Sequence, residues 1–377
     1  MKAKLTLLFL NVILLGYSHD FTKFDRSTFY NSTFNIYTVF VDKQDNVYAG
    51  TSTQLFRYNG VKWDSLTLAF NLPGSVKAIA QDLTDSIRFG VINNGIYSTW
   101  DLISYNPNSP PLANSWVNVM AVDAAGKIWA GTNSGVSVID AGTVTNYTSS
   151  NGLLGTSVND IKIAANGTVY VATALGVSIY KNSTWSYLTV DSGLVSNNIK
   201  SIEIDGNGHL WFGAYSNGIS KYDGENWITY NEANTSGALL NYGEVGDLLW
   251  DGSTMWVAGF YIARCDNNVW KKYNGYSEGG PIFPQRLAVD SKNNIWISSL
   301  TAITKYNKSA ESSIVETKSN NLQIYPNPAK DYIYLSTPVS KAKVSIYNMA
   351  GILEKSFDLS GQSIDVSALK KKHIYLK

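Results

Sequence analysis

One pattern recurs along this chain about every forty residues, and its clearest copy runs from Ile199 to Tyr230. An apolar stretch holding Ile199, Ile202 and Ile204 leads through a turn into Leu210–Ala214; Ile219–Tyr222 and Trp227–Tyr230 follow after further turns. Short apolar runs separated by Gly, Asn, Asp and Ser read as four strands. A small residue near the end of the second strand aligns the copies: Gly50, Gly90, Gly131, Ala172, Gly213, Ala258 and Ser298, at spacings of 40, 41, 41, 41, 45 and 40 residues. Such a unit buries its faces only against its neighbours, so copies of this length stack around an axis as propeller blades. The chain is therefore predicted to be all-β, with a seven-bladed β-propeller as its main body.

The same register explains the residue types. Tyr48, Trp129, Tyr170, Trp211, Trp256 and Trp296 stand two residues before the anchor, where an aromatic ring fills the gap between blades; Arg88 interrupts the series. Small anchors suit strands that converge on a crowded axis. Asp42, Asp123, Asp205 and Asp290 open the first hairpins and read as turn caps, since a calcium loop gathers more carboxylates than each turn offers. The last unit, from Leu287 to Tyr306, has three strands, and residues 21–36 match the fourth strand and following loop seen at 185–199. The N-terminal strand is thus expected to complete the last blade of a propeller spanning 20–308, leaving no bare edge.

Residues 1–18, with Lys2, Lys4 and an apolar run from Leu5 to Leu15, read as a secretory signal. No later stretch is apolar enough to span a membrane. A net charge of +1 supplies no basic field for nucleic acid. The single Cys265 reads as a buried, inert thiol. His19, His209 and His373 are the only histidines, no His and Cys cluster suits a metal, and no cofactor is expected.

Beyond Tyr306 the composition turns polar, and 309–321 read as a linker. Alternating strands between 322 and 377 suggest a small β-sandwich. Two resemblances follow from quoted motifs. Asp123-Ala-Ala-Gly-Lys-Ile-Trp-Ala-Gly-Thr132 and Gly193-Leu-Val-Ser-Asn197 resemble the two-component regulator propeller repeat, and the resemblance covers about residues 21–308, weakest in the second and sixth blades. The region 322–377 resembles the C-terminal (type A) sorting domain of the Bacteroidetes type IX secretion system, through Tyr325, Pro326, Asn327 and Pro328 and through Ile346-Tyr347-Asn-Met-Ala-Gly351. That resemblance implies export through the periplasm to the cell surface or medium, with the secretion machinery as a partner. The chain reaches Lys377 without the family's final hairpin, so a truncated domain is expected. The propeller family's kinase and receiver are not in this sequence, so its signalling activity does not carry over.

For catalysis the sequence offers little. His209 lies in a turn with no acid at triad-like spacing, leaving only Glu203, Glu244, Asp247 and Asp251 for a carboxylate pair. Binding is the first reading, through the loops between blades and between second and third strands, which share one face around the channel. Candidates there are Asn94, Trp116, Asn133, Tyr215, Asn217, Tyr242, Phe260, Tyr261, Tyr276 and Phe283, aromatics and amides suited to a glycan or a protein surface. An assembly platform at the cell surface is the second reading, a propeller lyase or hydrolase the third.

Overall fold

The computed structural model describes residues 21–29, 34–66, 74–98, 105, 111–273, 280–281 and 283–308, and strands at 324–325, 332–348, 353–365 and 374–376. The predicted signal, the linker, Tyr276, Pro326, Asn327, Pro328 and Gly351 lie outside the described residues. Two compact units result, one covering Phe21–Lys308 and the other holding the C-terminal strands. No helix among the described residues is long and apolar enough to cross a membrane.

In the larger unit seven sheets stand around an axis. Their first strands are Ile36–Val41, Val76–Gln81, Val117–Val122, Val158–Ile163, Ile199–Ile204, Asp247–Trp250 and Pro284–Val289, each against the next in a closed ring. Six blades have four antiparallel strands; the second has three described, with Ile96 bridged to Tyr105 where a fourth would begin. In the seventh, Phe21–Asp25 pairs antiparallel with Ala302–Tyr306, and the Phe24 ring stacks 5.8 Å from that of Trp296.

Second strands such as Ile128–Thr132 and Leu210–Ala214 are buried at every residue, because blades cover both of their faces. A Cβ on Gly131 would sit 2.5 Å from Val158 Cγ1 of the next blade, and one on Gly213 2.5 Å from Val245 Cγ1. Close approach between blades therefore sets the small anchor.

The aromatic before the anchor does more than fill space. Its polar hydrogen points at the hairpin aspartate: Trp129 Nε1 donates to Asp123 Oδ2 at 3.1 Å, Trp211 to Asp205 at 3.0 Å, Trp256 to Asp251 at 2.9 Å and Trp296 to Asp290 at 3.0 Å. The other carboxylate oxygen accepts turn N–H groups, for Asp205 those of Asn207 and His209. Tyr48 Oη plays the same part for Asp42 at 3.2 Å. Arg88 is no exception in this light, for its Nε donates to Asp82 Oδ2 at 2.9 Å. Only the fourth blade lacks this clasp, with Ala164 in the aspartate's place and Tyr170 in the aromatic's.

In the smaller unit, Ile324–Tyr325, Tyr332–Asn348 and Leu353–Asp365 form one sheet in that order, and Ile374–Leu376 pairs with the second of these. Tyr325 and Tyr347 fall in its strands.

Candidate functional site at the channel mouth

Near its start, nearly every first strand carries a register shift, as between Val76 and Ala78, Val158 and Asp160, Ile199 and Ser201, or Pro284 and Arg286. A bulge leaves one residue out of the ladder and turns its side chain. Here Tyr37, Lys77, Asn118, Asn159, Lys200 and Gln285 are turned to the axis, with Gly246 in the sixth blade. They line a cavity of about 250 Å³, joined by Asn133, Ser157, Glu244 and Arg286 from neighbouring loops and strands.

Several of these side chains also stitch the ring. Asn118 Nδ2 donates to Val158 O at 3.0 Å and Asn159 Nδ2 to Ile199 O at 2.7 Å, each reaching the following blade. Arg286 Nη1 donates to Gly246 O at 2.8 Å. Asp160 and Asp247 accept the backbone N–H of Ile202 (2.8 Å) and Leu287 (2.7 Å). Polar groups that a bulge strips from the ladder thereby regain partners.

The channel is charged in both signs. Lys162 Nζ meets Glu203 Oε1 at 2.5 Å, Lys200 Nζ meets Glu244 at 3.3 Å, and Arg286 lies 3.8 Å from Asp247. Burial pushes Asp247 up to about 7, against the opposing pull of Arg286, and raises Asp160 and Glu203 as well. Burial, followed by the Arg286 and Lys200 charges, holds Lys77 below the usual lysine range.

Of the residues predicted from sequence, Asn133 lines the cavity and accepts from Asn118 Nδ2 at 2.9 Å. Trp116 and Tyr215 flank it, with Lys77 Nζ 5.8 Å from the Trp116 ring centre and Lys200 Nζ 5.5 Å from that of Tyr215. Phe260 packs edge-on against Tyr261 (4.9 Å) and Phe283 (5.1 Å), while Tyr242 stands 76% exposed in the loop whose Gly243 abuts Phe260. Asn94 and Asn217 serve their own turns: Asn94 Nδ2 bonds Ile92 O, and Asn217 adopts a φ of 71°.

Sequence reasoning missed Lys77, Asn118, Asn159, Lys200 and Arg286. A signal existed, since Tyr37, Lys77, Asn118, Asn159, Lys200 and Gln285 each stand thirteen residues before the anchor. His209, which has no acid at a triad-like spacing, does meet one locally: its Nδ1 lies 3.0 Å from Asp205 Oδ2, because the hairpin brings a residue four positions away onto the carboxylate. That pair belongs to the turn at the opposite end of the strand from the cavity. Asp251 is likewise spoken for, 2.8 Å from Lys308 Nζ. Among the described residues no cluster of His, Cys, Asp and Glu could hold a metal ion.

Residues 323–376 match the family model of the secretion system C-terminal sorting domain, and 193–216 that of the two component regulator propeller. No curated protein matches the chain. One similar solved structure is PorZ, described as an essential bacterial surface component of the type-IX secretion system of Porphyromonas gingivalis. The two are 17% identical with a TM-score of 0.57, over 89% of this chain and 55% of PorZ. The extracellular domain of BT4673 from B. thetaiotaomicron is 15% identical, with a TM-score of 0.61 over 94% of this chain and 57% of that one. A streptogramin B lyase is 15% identical, with a TM-score of 0.59 over 76% and 96%. The chain spans about half the length of the first two, and at such identities the likeness establishes the fold. The chain is a seven-bladed propeller that matches the two component regulator propeller over one stretch and ends in a secretion system sorting domain, which indicates secretion to the cell surface.

Proposed function

We propose that the propeller is a non-catalytic recognition module at the cell surface, taking a glycan at the channel mouth. One observation carries this reading. At a single register position the fold turns a side chain from nearly every blade into one cavity, and there the residues are amides, cations and a tyrosine that differ from blade to blade. Ring faces beside hydrogen-bonding groups suit a sugar, which offers both an apolar face and hydroxyls. The exposed Tyr242 and the Phe260, Tyr261 and Phe283 group extend the same face outward.

Catalysis has less support. A similar structure is a virginiamycin B lyase from Staphylococcus aureus made catalytically inactive by replacing one histidine with alanine. Here the one histidine of the described propeller, His209, is engaged by Asp205 away from the cavity. Glu203, Glu244, Asp247 and Asp251 each lie beside a cation, although Asp247 also feels the nearby charges of Asp160 and Glu203.

A glycan array followed by thermal shift on the full chain tests the proposal, with Tyr242→Ala and Tyr261→Ala as paired variants. A ligand that binds only the folded state raises the melting temperature as its concentration exceeds Kd. Shifts weakened in both variants support recognition on this face. Absence of any shift favours the second reading, an assembly platform, for which PorZ's description as a secretion-system surface component is the precedent.

A further inference from the structure

The charge balance at the channel mouth narrows the ligand class, an inference that rests on the recognition role just proposed. Three cations line the cavity. Lys200 leans on Glu244 at 3.3 Å and Arg286 on Asp247 at 3.8 Å. Lys77 has no carboxylate partner among the described residues; its Nζ donates to Asn118 Oδ1 at 2.8 Å. Asn118 cannot turn away, since its amide N–H groups are committed to Val158 O and Asn133 Oδ1. A cation removed from water costs free energy unless an opposite charge or full hydrogen bonding replaces the solvent. Here burial first, and then the nearby charges of Arg286 and Lys200, hold Lys77 below the usual lysine range.

We propose that the cavity binds the carboxylate of an acidic sugar residue, held among Lys77, Lys200 and Arg286. Arg286 supplies a planar fork suited to carboxylate, the lysines point charges. Glu244 is the group that must yield, and its side chain, 46% exposed, has solvent to turn into when the incoming anion takes over Lys200. A space of about 250 Å³ lies slightly below the roughly 300 Å³ at which small-ligand pockets begin. It therefore suits one sugar residue entering the mouth, with Trp116 and Tyr215 beside it. An acidic peptide would satisfy the charges but would leave the sugar-like mixture of ring faces and amides without a purpose.

Titration calorimetry on the full chain distinguishes these cases, using oligomers of galacturonate, glucuronate and mannuronate, their carboxyl-reduced neutral counterparts, and hexaglutamate. At least one acidic oligosaccharide is expected to bind ten times or more tightly than its neutral counterpart, with the advantage shrinking as salt rises. Lys77→Met removes that advantage and raises the melting temperature of the unliganded protein, whereas Lys77→Arg retains most of the binding. Equal affinity for acidic and neutral forms, unaffected by Lys77→Met, overturns the carboxylate site and leaves glycan recognition standing. Binding of hexaglutamate without any sugar overturns both, and so does failure of every oligosaccharide to bind.

Discussion

Asp205 and Asp247 belong to neighbouring blades, one following the end of a first strand and the other beginning the next, and they respond oppositely to the same fold. Burial pushes Asp205 upward, yet bonds from Trp211, His209 and Asn207 outweigh it and hold the carboxyl below its usual range. Asp82 and Asp251 follow the same pattern. Asp247 receives one backbone N–H and a guanidinium 3.8 Å away, and burial, helped by the Asp160 and Glu203 charges, wins and carries it to about 7. The sign thus follows the balance between burial and neighbouring carboxylates on one side and the donors the chain provides on the other. In the hairpin clasps the protein completes the shell of its own carboxylate; in the channel it leaves charges of both signs incompletely served.

The largest effect should come from opening a clasp. Asp205→Ala removes an acceptor shared by Trp211 Nε1, two backbone N–H groups and Lys221 Nζ, and is expected to cost about 3 kcal/mol in denaturant titration. Gly131→Ala comes next, at about 2 kcal/mol, because its Cβ meets Val158 in the following blade.

The third effect is a slope rather than a step. Clasp carboxylates with lowered pKa contribute stability present above the unfolded value of 3.8 and lost as pH falls through their folded values. Asp247 acts in reverse, since its folded form keeps the proton longer: its contribution is full near pH 4 and declines as pH rises to about 7. Asp247→Asn should therefore flatten the melting temperature between pH 4 and 7 and leave the acid limb unchanged. An unchanged slope across that window would break the contrast between the two regions.

The smallest effect sharpens it. Ala164→Asp gives the fourth blade a carboxylate on the same turn, where Ala164 N bonds Thr168 O as Asp42 N bonds Asn46 O, with Tyr170 placed as Tyr48 is. A gain of about 0.5–1 kcal/mol is expected in thermal unfolding.

The contrast also explains what could be read in the chain beforehand. Clasps and anchors repeat every forty residues, so seven blades were legible from Gly50, Gly131 and Gly213 and from the aspartates that open their hairpins. The motifs at Tyr325 and Gly351 marked the secretion tail. Arg88 looked like a fault because its role lies in its Nε, not in its bulk. The cavity residues share a position but no chemistry, and a repeat is noticed through likeness, so Lys77 and Asn118 passed unremarked while the turn residues Asn94 and Asn217 drew attention. Pairings such as Lys162 with Glu203 join residues of different blades, and their meeting depends on the angle between sheets.

Ring closure joins Phe21 to Tyr306 across nearly the whole propeller. Bringing such distant ends together costs roughly 5 kcal/mol of chain entropy beyond a constant, repaid only once strand and aromatic contacts form together. Until residues 302–306 exist, the strand at Phe21–Asp25 has no ladder to join and six blades have an open flank. Completion of the ring therefore waits for the final blade: a chain stopped short of it keeps an unpaired strand edge, and one that passes it becomes a closed body with the channel mouth assembled in the same step.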